Sequence, residues 1–222
     1  ESRFANSSIV FTSKGEFVKT IEEAPVNEIL PKGIMAVHCN KRDIYWRADL
    51  PATLSFVLAL DGGDPANECD FRDALYCWDA PFTDEPRLIF KVPLRISGVL
   101  WHDGELACVT DVWYDSRRTC TYLISPDYPN RPVKKLYDRN YQDIYSFPGN
   151  FELARNKYGR YVLILDNRHL YLVSEGYTEN GKFPYIDKFN IDDLSTSRIY
   201  QSEYTDKLEE IILFEDYKGG NA

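Results

Sequence analysis

Hydrophobic and polar residues alternate over short stretches of this chain, and Gly, Pro, Asp and Asn separate the stretches. A period of two predicts β-strands, and helical periodicity is almost missing. The predicted strands fall into three sets of four. The first set covers residues 43–46, 53–60, 73–80 and 86–93; the second 97–101, 105–114, 118–126 and 132–138; the third 150–155, 161–166 with 169–175, 184–192 and 196–203.

The three sets are copies of one pattern. Trp46 in "IYWRAD" corresponds to Trp101 in "VLWHDG", and "LIF", "KLYD" and "RIYQ" recur where the sets end. A repeat of about 50 residues with four antiparallel strands is typical of propeller blades. Stacked blades cover the faces that a lone sheet leaves open. The pattern therefore predicts an all-β fold, a partial β-propeller built of four-stranded antiparallel blades.

The predicted segment contains about three full blades and parts of two more. The boundaries place the end of a blade at 1–30, blades at 31–93, 94–145 and 146–205, and the start of another at 206–222. Residues 7–23 read as an outer hairpin turned at Lys14-Gly15. Either the chain is an arc of a larger ring, which we favour, or a small ring closes by pairing its ends. An open arc exposes strand edges and blade faces, so we expect self-association.

Composition supports strands and argues against two classes of partner. The chain has 222 residues, 44% hydrophobic, with sixteen Tyr and twelve Phe, which suit pleated surfaces. Its net charge of −9 lacks the basic face that nucleic acid requires. No apolar run reaches the roughly 18 residues of a membrane helix. We therefore expect neither a nucleic acid nor a membrane as a partner.

Five cysteines, at positions 39, 69, 77, 108 and 120, follow no metal-binding or redox spacing. Cys108 and Cys120 lie inside apolar alternation and are expected to be buried thiols. Cys69 and Cys77 are the best candidates for a disulfide. An odd number of cysteines leaves at least one thiol free.

The sequence "DGGDP" raises two questions about ligands. Gly62-Gly63 matches neither a P-loop nor a dinucleotide fingerprint, and no helix follows, so we interpret it as a turn between strands. Asp61, Asp64 and Asp70 supply oxygen ligands of the kind that calcium binds. Their spacing is not that of an EF-hand, and a solvated acidic loop is the alternative.

The sequence offers no catalytic residue and implies no cofactor. No G-x-S-x-G occurs, and Ser97 and Ser146 lack its flanking glycines. His38, His102 and His169 are scattered, and His102 is expected in a turn.

The basic pair Arg117-Arg118 lies between two predicted strands, where a propeller mouth would be. It is a candidate for binding a substrate carboxylate bidentately. The alternative is that the pair bonds to Asp111, Asp115 or backbone carbonyls.

Three segments carry a resemblance to a known family. They are "YWRADLPATLSFVLALDGGDP" (45–65), "VLWHDGELACVTDVWYDSRRTCTYLISP" (99–126) and "YSFPGNF" (145–151). In order and spacing they resemble the N-terminal β-propeller of glutamyl endopeptidase-like serine peptidases, in the prolyl oligopeptidase family S9. The resemblance implies a propeller of about seven blades that caps an α/β-hydrolase domain carrying Ser, Asp and His, and cleavage after Glu. The hydrolase elbow is absent from this chain, so no catalytic residue carries over.

The resemblance implies that this segment is non-catalytic and that it gates and positions peptide substrates. Its partners would be a peptide and the missing hydrolase domain. The alternative function is a stand-alone propeller that binds a protein, peptide or carbohydrate, including a calcium-dependent lectin-like form. A periplasmic or secreted location is slightly favoured over a cytoplasmic one.

Overall fold

The computed structural model describes residues 4–28 and 30–212, and all regular elements in these ranges are strands. The strands are β1 (Asn6–Phe11), β2 (Phe17–Ala24), β3 (Arg42–Trp46), β4 (Thr53–Ala59), β5 (Asp73–Asp79), β6 (Arg87–Val92), β7 (Arg95–Trp101), β8 (Ala107–Trp113), β9 (Arg118–Ile124), β10 (Lys134–Asn140), β11 (Asn150–Phe151), β12 (Leu153–Arg155), β13 (Tyr161–Leu163), β14 (His169–Ser174), β15 (Tyr177–Thr178), β16 (Gly181–Lys182), β17 (Tyr185–Asn190) and β18 (Thr196–Gln201). No described segment forms a helix with the length and hydropathy needed to cross a bilayer.

Three four-stranded antiparallel sheets organise the described chain. Their orders are β3-β4-β5-β6, β7-β8-β9-β10 and β11-β14-β17-β18, and we call them the first, second and third sheets. The hairpin β1–β2 precedes them and turns through Gly15, whose φ of 82° suits glycine. The prediction of an all-β, partial propeller of four-stranded sheets is confirmed. Residues 206–212 form no strand, and the rest of the blade start predicted at 206–222 lies outside the described residues.

The third sheet differs from its predicted strand set. Residues 161–163 do not extend the strand that follows them; β13 pairs with β12 in a separate hairpin. The turn between them is closed by the Asn156 side chain, which accepts the N–H groups of Tyr158 at 2.9 Å and Arg160 at 3.2 Å. Gly159 adopts a φ of 71° there. The string "NKYG" is a turn signal of the kind that asparagine and glycine supply.

The core lies between the sheets, and strand β8 shows how the alternating sequence builds it. Ala107 and Val109 pack into the cluster shared with the first sheet. Cys108, between them, points the other way and joins Leu106 in the cluster shared with the third sheet. Because successive strand residues face opposite sides, a strand buried on both faces contributes to two cores.

The hairpin β1–β2 covers the remaining face of the first sheet. Ile21 is buried with Leu54 and Phe82, and Val10 and Val18 pack against this cluster. The residues that face away from it include Phe11 and Phe17.

All five cysteines are free thiols. Cys108 and Cys120 are buried, as predicted, and burial raises the pKa of Cys108 to about 12. The candidate disulfide between Cys69 and Cys77 is wrong. Cys69 is exposed in a loop, whereas Cys77 lies in the core between the first and second sheets.

A buried charge network ties the first sheet to the second. The guanidinium of Arg95, at the start of β7, donates to Asp61 at 2.7 Å and to Asp73 at 3.0 Å. Asp73 also accepts the backbone N–H of Ile96 at 2.8 Å and pairs with Arg42. Arg95 further donates to the Met35 carbonyl at 3.1 Å. One side chain therefore holds the entry of β7, the start of β5 and two loops in register.

Replacing Arg95 by Met should strongly destabilise the protein. The change removes one arginine partner from each of two buried carboxylates, which costs about 3–5 kcal/mol in the free energy of unfolding. Urea denaturation measures this change. The matched control is Arg131→Met, which breaks an exposed pair with Glu105 at 3.4 Å and should cost below about 1 kcal/mol. Equal losses in the two variants would contradict the structural role of Arg95.

A second prediction concerns Asp111, a fully buried residue of β8. Burial raises its pKa from 3.8 to about 6, although the N–H groups of Leu94 and Cys120 oppose the shift. Between these two pH values the folded protein holds a proton that the unfolded chain releases. The contribution of Asp111 to stability is therefore full below about pH 4 and declines as the pH rises to about 6.

The pH dependence is isolated by subtracting the unfolding free energy of Asp111→Asn, which does not titrate, from that of the original protein. This difference should fall by roughly 2 kcal/mol between pH 4 and pH 6.5. Chemical denaturation at a series of pH values measures it. A difference that stays constant or rises with pH would show that Asp111 is not held in its neutral form.

Candidate functional site

The Gly62-Gly63 pair is a structural turn, as predicted. Both residues have positive φ, 69° and 75°, in the loop between β4 and β5. Gly63 also permits a close approach, because a Cβ there would lie 2.0 Å from the carbonyl oxygen of Val37. The backbone N–H of Val37 donates to the Gly63 carbonyl at 3.0 Å. The pair fastens the segment before β3 onto the loop.

The three acidic residues proposed for calcium have different surroundings. The two oxygens of Asp61 accept the Gly63 N–H at 3.0 Å, Arg72 at 2.8 Å and Arg95 at 2.7 Å. Burial alone would raise the pKa of Asp61, but these two arginines hold it below its ordinary value. Its oxygens are therefore taken by cationic and N–H donors.

The other two acids of that loop are less constrained. Asp64 accepts the N–H of Ala66 at 2.9 Å, and Asp70 is exposed. Within 4–28 and 30–212, no group of three or more His, Cys, Asp or Glu side chains is arranged to hold a metal ion. The calcium site stays a prediction, and the structure turns Asp61 toward arginine.

Arg117 and Arg118, predicted to bind a substrate carboxylate, point to different partners. Arg118 makes a bidentate pair with Asp138, both contacts 2.7 Å, and Lys135 joins that carboxylate at 2.7 Å. Hydrogen bonds from Arg118 and Lys135 lower the pKa of Asp138. The charge of Arg118 is thus neutralised within the second sheet.

Arg117 keeps its charge available. It lies over the ring of Tyr114, with 3.7 Å to the centroid, and donates to the Tyr114 carbonyl at 2.8 Å and the Tyr141 hydroxyl at 3.2 Å. No carboxylate of the described residues contacts it. Of the two arginines, Arg117 is the one positioned to meet an acidic group, and that role remains a prediction.

Two of the three histidines, His102 and His169, are held by backbone groups. His102 follows β7 in a turn, as predicted, with Nδ1 2.8 Å from the Leu163 carbonyl oxygen. The Nδ1 atom of His169 lies 2.7 Å from the Asn167 carbonyl oxygen. In the described part of the chain, no histidine nitrogen is hydrogen-bonded to a serine or cysteine, and Ser97 bonds to the Thr110 carbonyl.

A concave feature that sequence reasoning missed is a cleft of about 400 Å³ between the inner strands of the first two sheets. We call it the axial cleft. Tyr45 and Trp46 of β3 line one wall, Gly98 of β7 lines another, and Tyr161 of β13 reaches in from the hairpin β12–β13. Strand alternation identifies buried positions but not where neighbouring sheets separate, so no sequence signal marks this cleft.

The hairpin β12–β13 fastens one end of the axial cleft. The side chain of Asn156 donates to the Ala48 carbonyl at 2.8 Å. Arg160 donates to the Leu50 carbonyl at 2.6 Å and the Arg47 carbonyl at 3.0 Å. These contacts join the hairpin β12–β13 to the 47–52 loop of the first sheet. The turn "NKYG" was the available signal for the hairpin, but not for its target.

Arg47 stabilises the 47–52 loop through ion pairs. Its side chain is fully buried, donates to Asp49 and Asp127, both at 2.9 Å, and lies 4.7 Å from the ring centroid of Trp101. Burial alone would lower the pKa of Arg47, yet the two carboxylates raise it. The loop is therefore a rigid anchor for the hairpin.

Comparison with known proteins identifies relatives of the whole segment. The chain is 36% identical over 217 residues to a rice (Oryza sativa subsp. japonica) protein named "Probable glutamyl endopeptidase, chloroplastic", covering 95% of this chain and 23% of that protein. It is 35% identical over 228 residues to an Arabidopsis thaliana protein of the same name, covering 99% of this chain and 24% of that protein. The chain thus spans about a quarter of the length of these relatives.

Other comparisons add little. No protein-family profile matches the chain. A solved structure titled "Oligogalacturonate lyase in complex with manganese" aligns with 89% of this chain and 42% of its own, at 16% identity and a TM-score of 0.38, too low to carry an argument. The curated relatives confirm the resemblance found in the sequence: this chain is homologous to a segment of the proteins named glutamyl endopeptidase.

Proposed function

We propose that this chain is the non-catalytic β-propeller portion of a serine peptidase of the prolyl oligopeptidase family S9, which gates and positions peptides for a hydrolase domain outside the chain. The observation that carries the proposal is the 36% identity, over 95% of the chain, to a protein named as a glutamyl endopeptidase. In such an enzyme the hydrolase domain supplies a serine nucleophile, a histidine base and an oxyanion hole. This segment contributes no group to the chemical step.

The axial cleft is the opening through which we propose that peptides are selected. Its volume of about 400 Å³ suits the side chains of an extended peptide but not a folded domain. The hairpin β12–β13, held by Asn156 and Arg160, sets the width of the cleft at one end. An extended strand passes such an opening, whereas a folded substrate is excluded by size.

The proposal also covers the cellular compartment of the protein and the contact between Arg117 and the peptide. The relatives are named chloroplastic, which supports a compartment other than the cytosol. The finer expectation of a periplasmic or secreted protein stays a prediction. Arg117 is proposed to contact an acidic group of the peptide, because its guanidinium is held in place by two tyrosines without a carboxylate.

The proposal is tested first on the gene. The reading frame beyond the codon for Ala222 should continue for several hundred codons and encode a G-x-S-x-G elbow followed by Asp and His. A stop codon directly after Ala222 would contradict the peptidase proposal. A stand-alone propeller that binds a protein, peptide or carbohydrate would then take its place.

Gating is tested on the protein that this frame encodes. Arg160→Ala removes the bonds to the 47–52 loop and should raise, severalfold, the rate of cleavage of a folded protein relative to that of a short Glu-containing peptide. The control is Arg168→Ala, which breaks an exposed pair with Asp192 at 2.5 Å. An unchanged ratio of the two rates in Arg160→Ala would contradict gating by the hairpin.

We also propose that the 222-residue chain self-associates through β1. Among the described strands β1 pairs only with β2, and Ile9, Phe11 and Phe17 on this hairpin are 44%, 54% and 62% exposed. Unpaired edges with exposed apolar residues invite strand pairing between copies. Light scattering should show dimers or larger species, and Ile9→Lys should shift them toward the monomer. A monomer at high concentration in the unsubstituted chain would contradict this.

A further inference from the structure

Both inner strands of the axial cleft are bulged where they line it. In β3, Arg42 lies opposite Val57 and Tyr45 opposite Ser55, so two residues of β3 face one of β4. In β7 the register shifts between Ile96 and Gly98. A bulge bends its strand and re-aims a side chain, and bulges are over-represented next to functional sites.

The bulge in β3 places Asp43 in a conformation that few residues adopt. Its φ is 53°, in the left-handed region, and its side chain is exposed at the cleft. Such backbone strain costs about 1–3 kcal/mol and persists only where the surroundings impose it. The carboxylate of Asp43 forms no hydrogen bond or ion pair with any described residue, so no contact of its side chain accounts for the strain.

The lining of the cleft carries one charge and several aromatic faces. Asp43 is the one charged side chain among the residues that line it. Tyr45, Tyr161 and Trp46 are 67%, 57% and 42% exposed. Aromatic faces attract cations, and one carboxylate beside them adds a counter-ion. The cleft is therefore complementary to an organic cation with an apolar stem.

Two of the rings that line the cleft, those of Tyr161 and Trp101, already contact cations. The guanidinium of Arg155 lies 5.2 Å from the ring centroid of Tyr161, although Arg155 does not line the cleft. The ring of Trp101 is covered by Arg47 and contributes a wall, not a free face. The ring of Trp46 packs against Phe82, with 6.3 Å between the two centroids, on the face of the first sheet that the hairpin β1–β2 covers. The ring left for a ligand is that of Tyr45, which follows the bulge at Asp43.

We propose that the axial cleft binds the basic side chain of an extended peptide, a lysine ammonium or an arginine guanidinium, with Asp43 as its counter-ion and Tyr45 as its aromatic wall. The inference rests on the proposed function for the identity of the ligand as a peptide. The axial cleft would bind a basic residue of the peptide, and Arg117 would contact an acidic residue at another position of the same peptide.

The test uses the 222-residue chain and two probes, the acetylated and amidated pentapeptide Ala-Ala-Lys-Ala-Ala and its counterpart with norleucine in place of lysine. Isothermal titration measures both affinities. The lysine peptide should bind about tenfold more tightly than the norleucine peptide, because only the ammonium meets Asp43. Higher salt should reduce this difference.

Three variants and a control sharpen the test. Asp43→Asn should abolish the tenfold preference and leave the fold intact, because asparagine also tolerates positive φ. Tyr45→Ala should weaken the lysine peptide about threefold. Gly98→Leu should block both peptides, because a Cβ at Gly98 meets no atom within 4 Å and the larger side chain fills open space. Asp115→Asn, an exposed acid in the turn between β8 and β9, should change neither affinity.

The outcomes separate this inference from the proposed function. Equal affinities for the two peptides, an Asp43→Asn variant that keeps the preference, or no binding of either peptide would overturn the cation site, whatever follows Ala222 in the gene. Preference for lysine that is lost in Asp43→Asn would support the site. That result stands even if the reading frame encodes no hydrolase domain, in which case the peptidase proposal alone fails.

Discussion

Each four-stranded sheet of this protein has two apolar faces, and neither is buried unless another sheet lies against it. The second sheet shows the consequence, because alternate residues of β8 enter two different cores. If only one face of the sheet were covered, half of these side chains would stay in water. The folded state would then lose about 25 cal/mol of stability for each Å² of apolar surface left exposed. Stacking is therefore required by the strands themselves, and the positions of the inner strands follow from it.

Salt bridges connect the stacked sheets at positions outside their apolar cores. Arg95 joins the second sheet to Asp61 and Asp73 of the first, and Arg47 braces the 47–52 loop beneath the hairpin β12–β13. Both guanidiniums are buried, so each is costly unless carboxylates accompany it. These pairs are directional, because a guanidinium donates its hydrogen bonds along its own plane. They set which loops meet, while the apolar cores supply most of the attraction.

The axial cleft results from the same arrangement. Inner strands have one edge without a neighbour, and the bulges in β3 and β7 turn side chains toward that open side. Exposed aromatic rings and one strained, unpaired aspartate collect there. Other charged side chains are paired elsewhere, as Arg118 is with Asp138 and Asp61 with Arg95. Stability and binding are thus served by different acidic residues that look alike in the sequence.

Local patterns alone determined the strands of the first and second sheets, the three sheet repeats, the Gly62-Gly63 turn and the buried thiols of Cys108 and Cys120. Alternation and turn residues act between near neighbours, so the sequence displays them directly. Tertiary structure decided the rest. Residues 20 to over 100 positions away decide three features. They decide whether Asp61 faces a metal ion or an arginine, whether Arg117 or Arg118 lacks a carboxylate partner, and where the hairpin β12–β13 attaches. No short-range pattern encodes such contacts, because they exist only once the sheets have stacked.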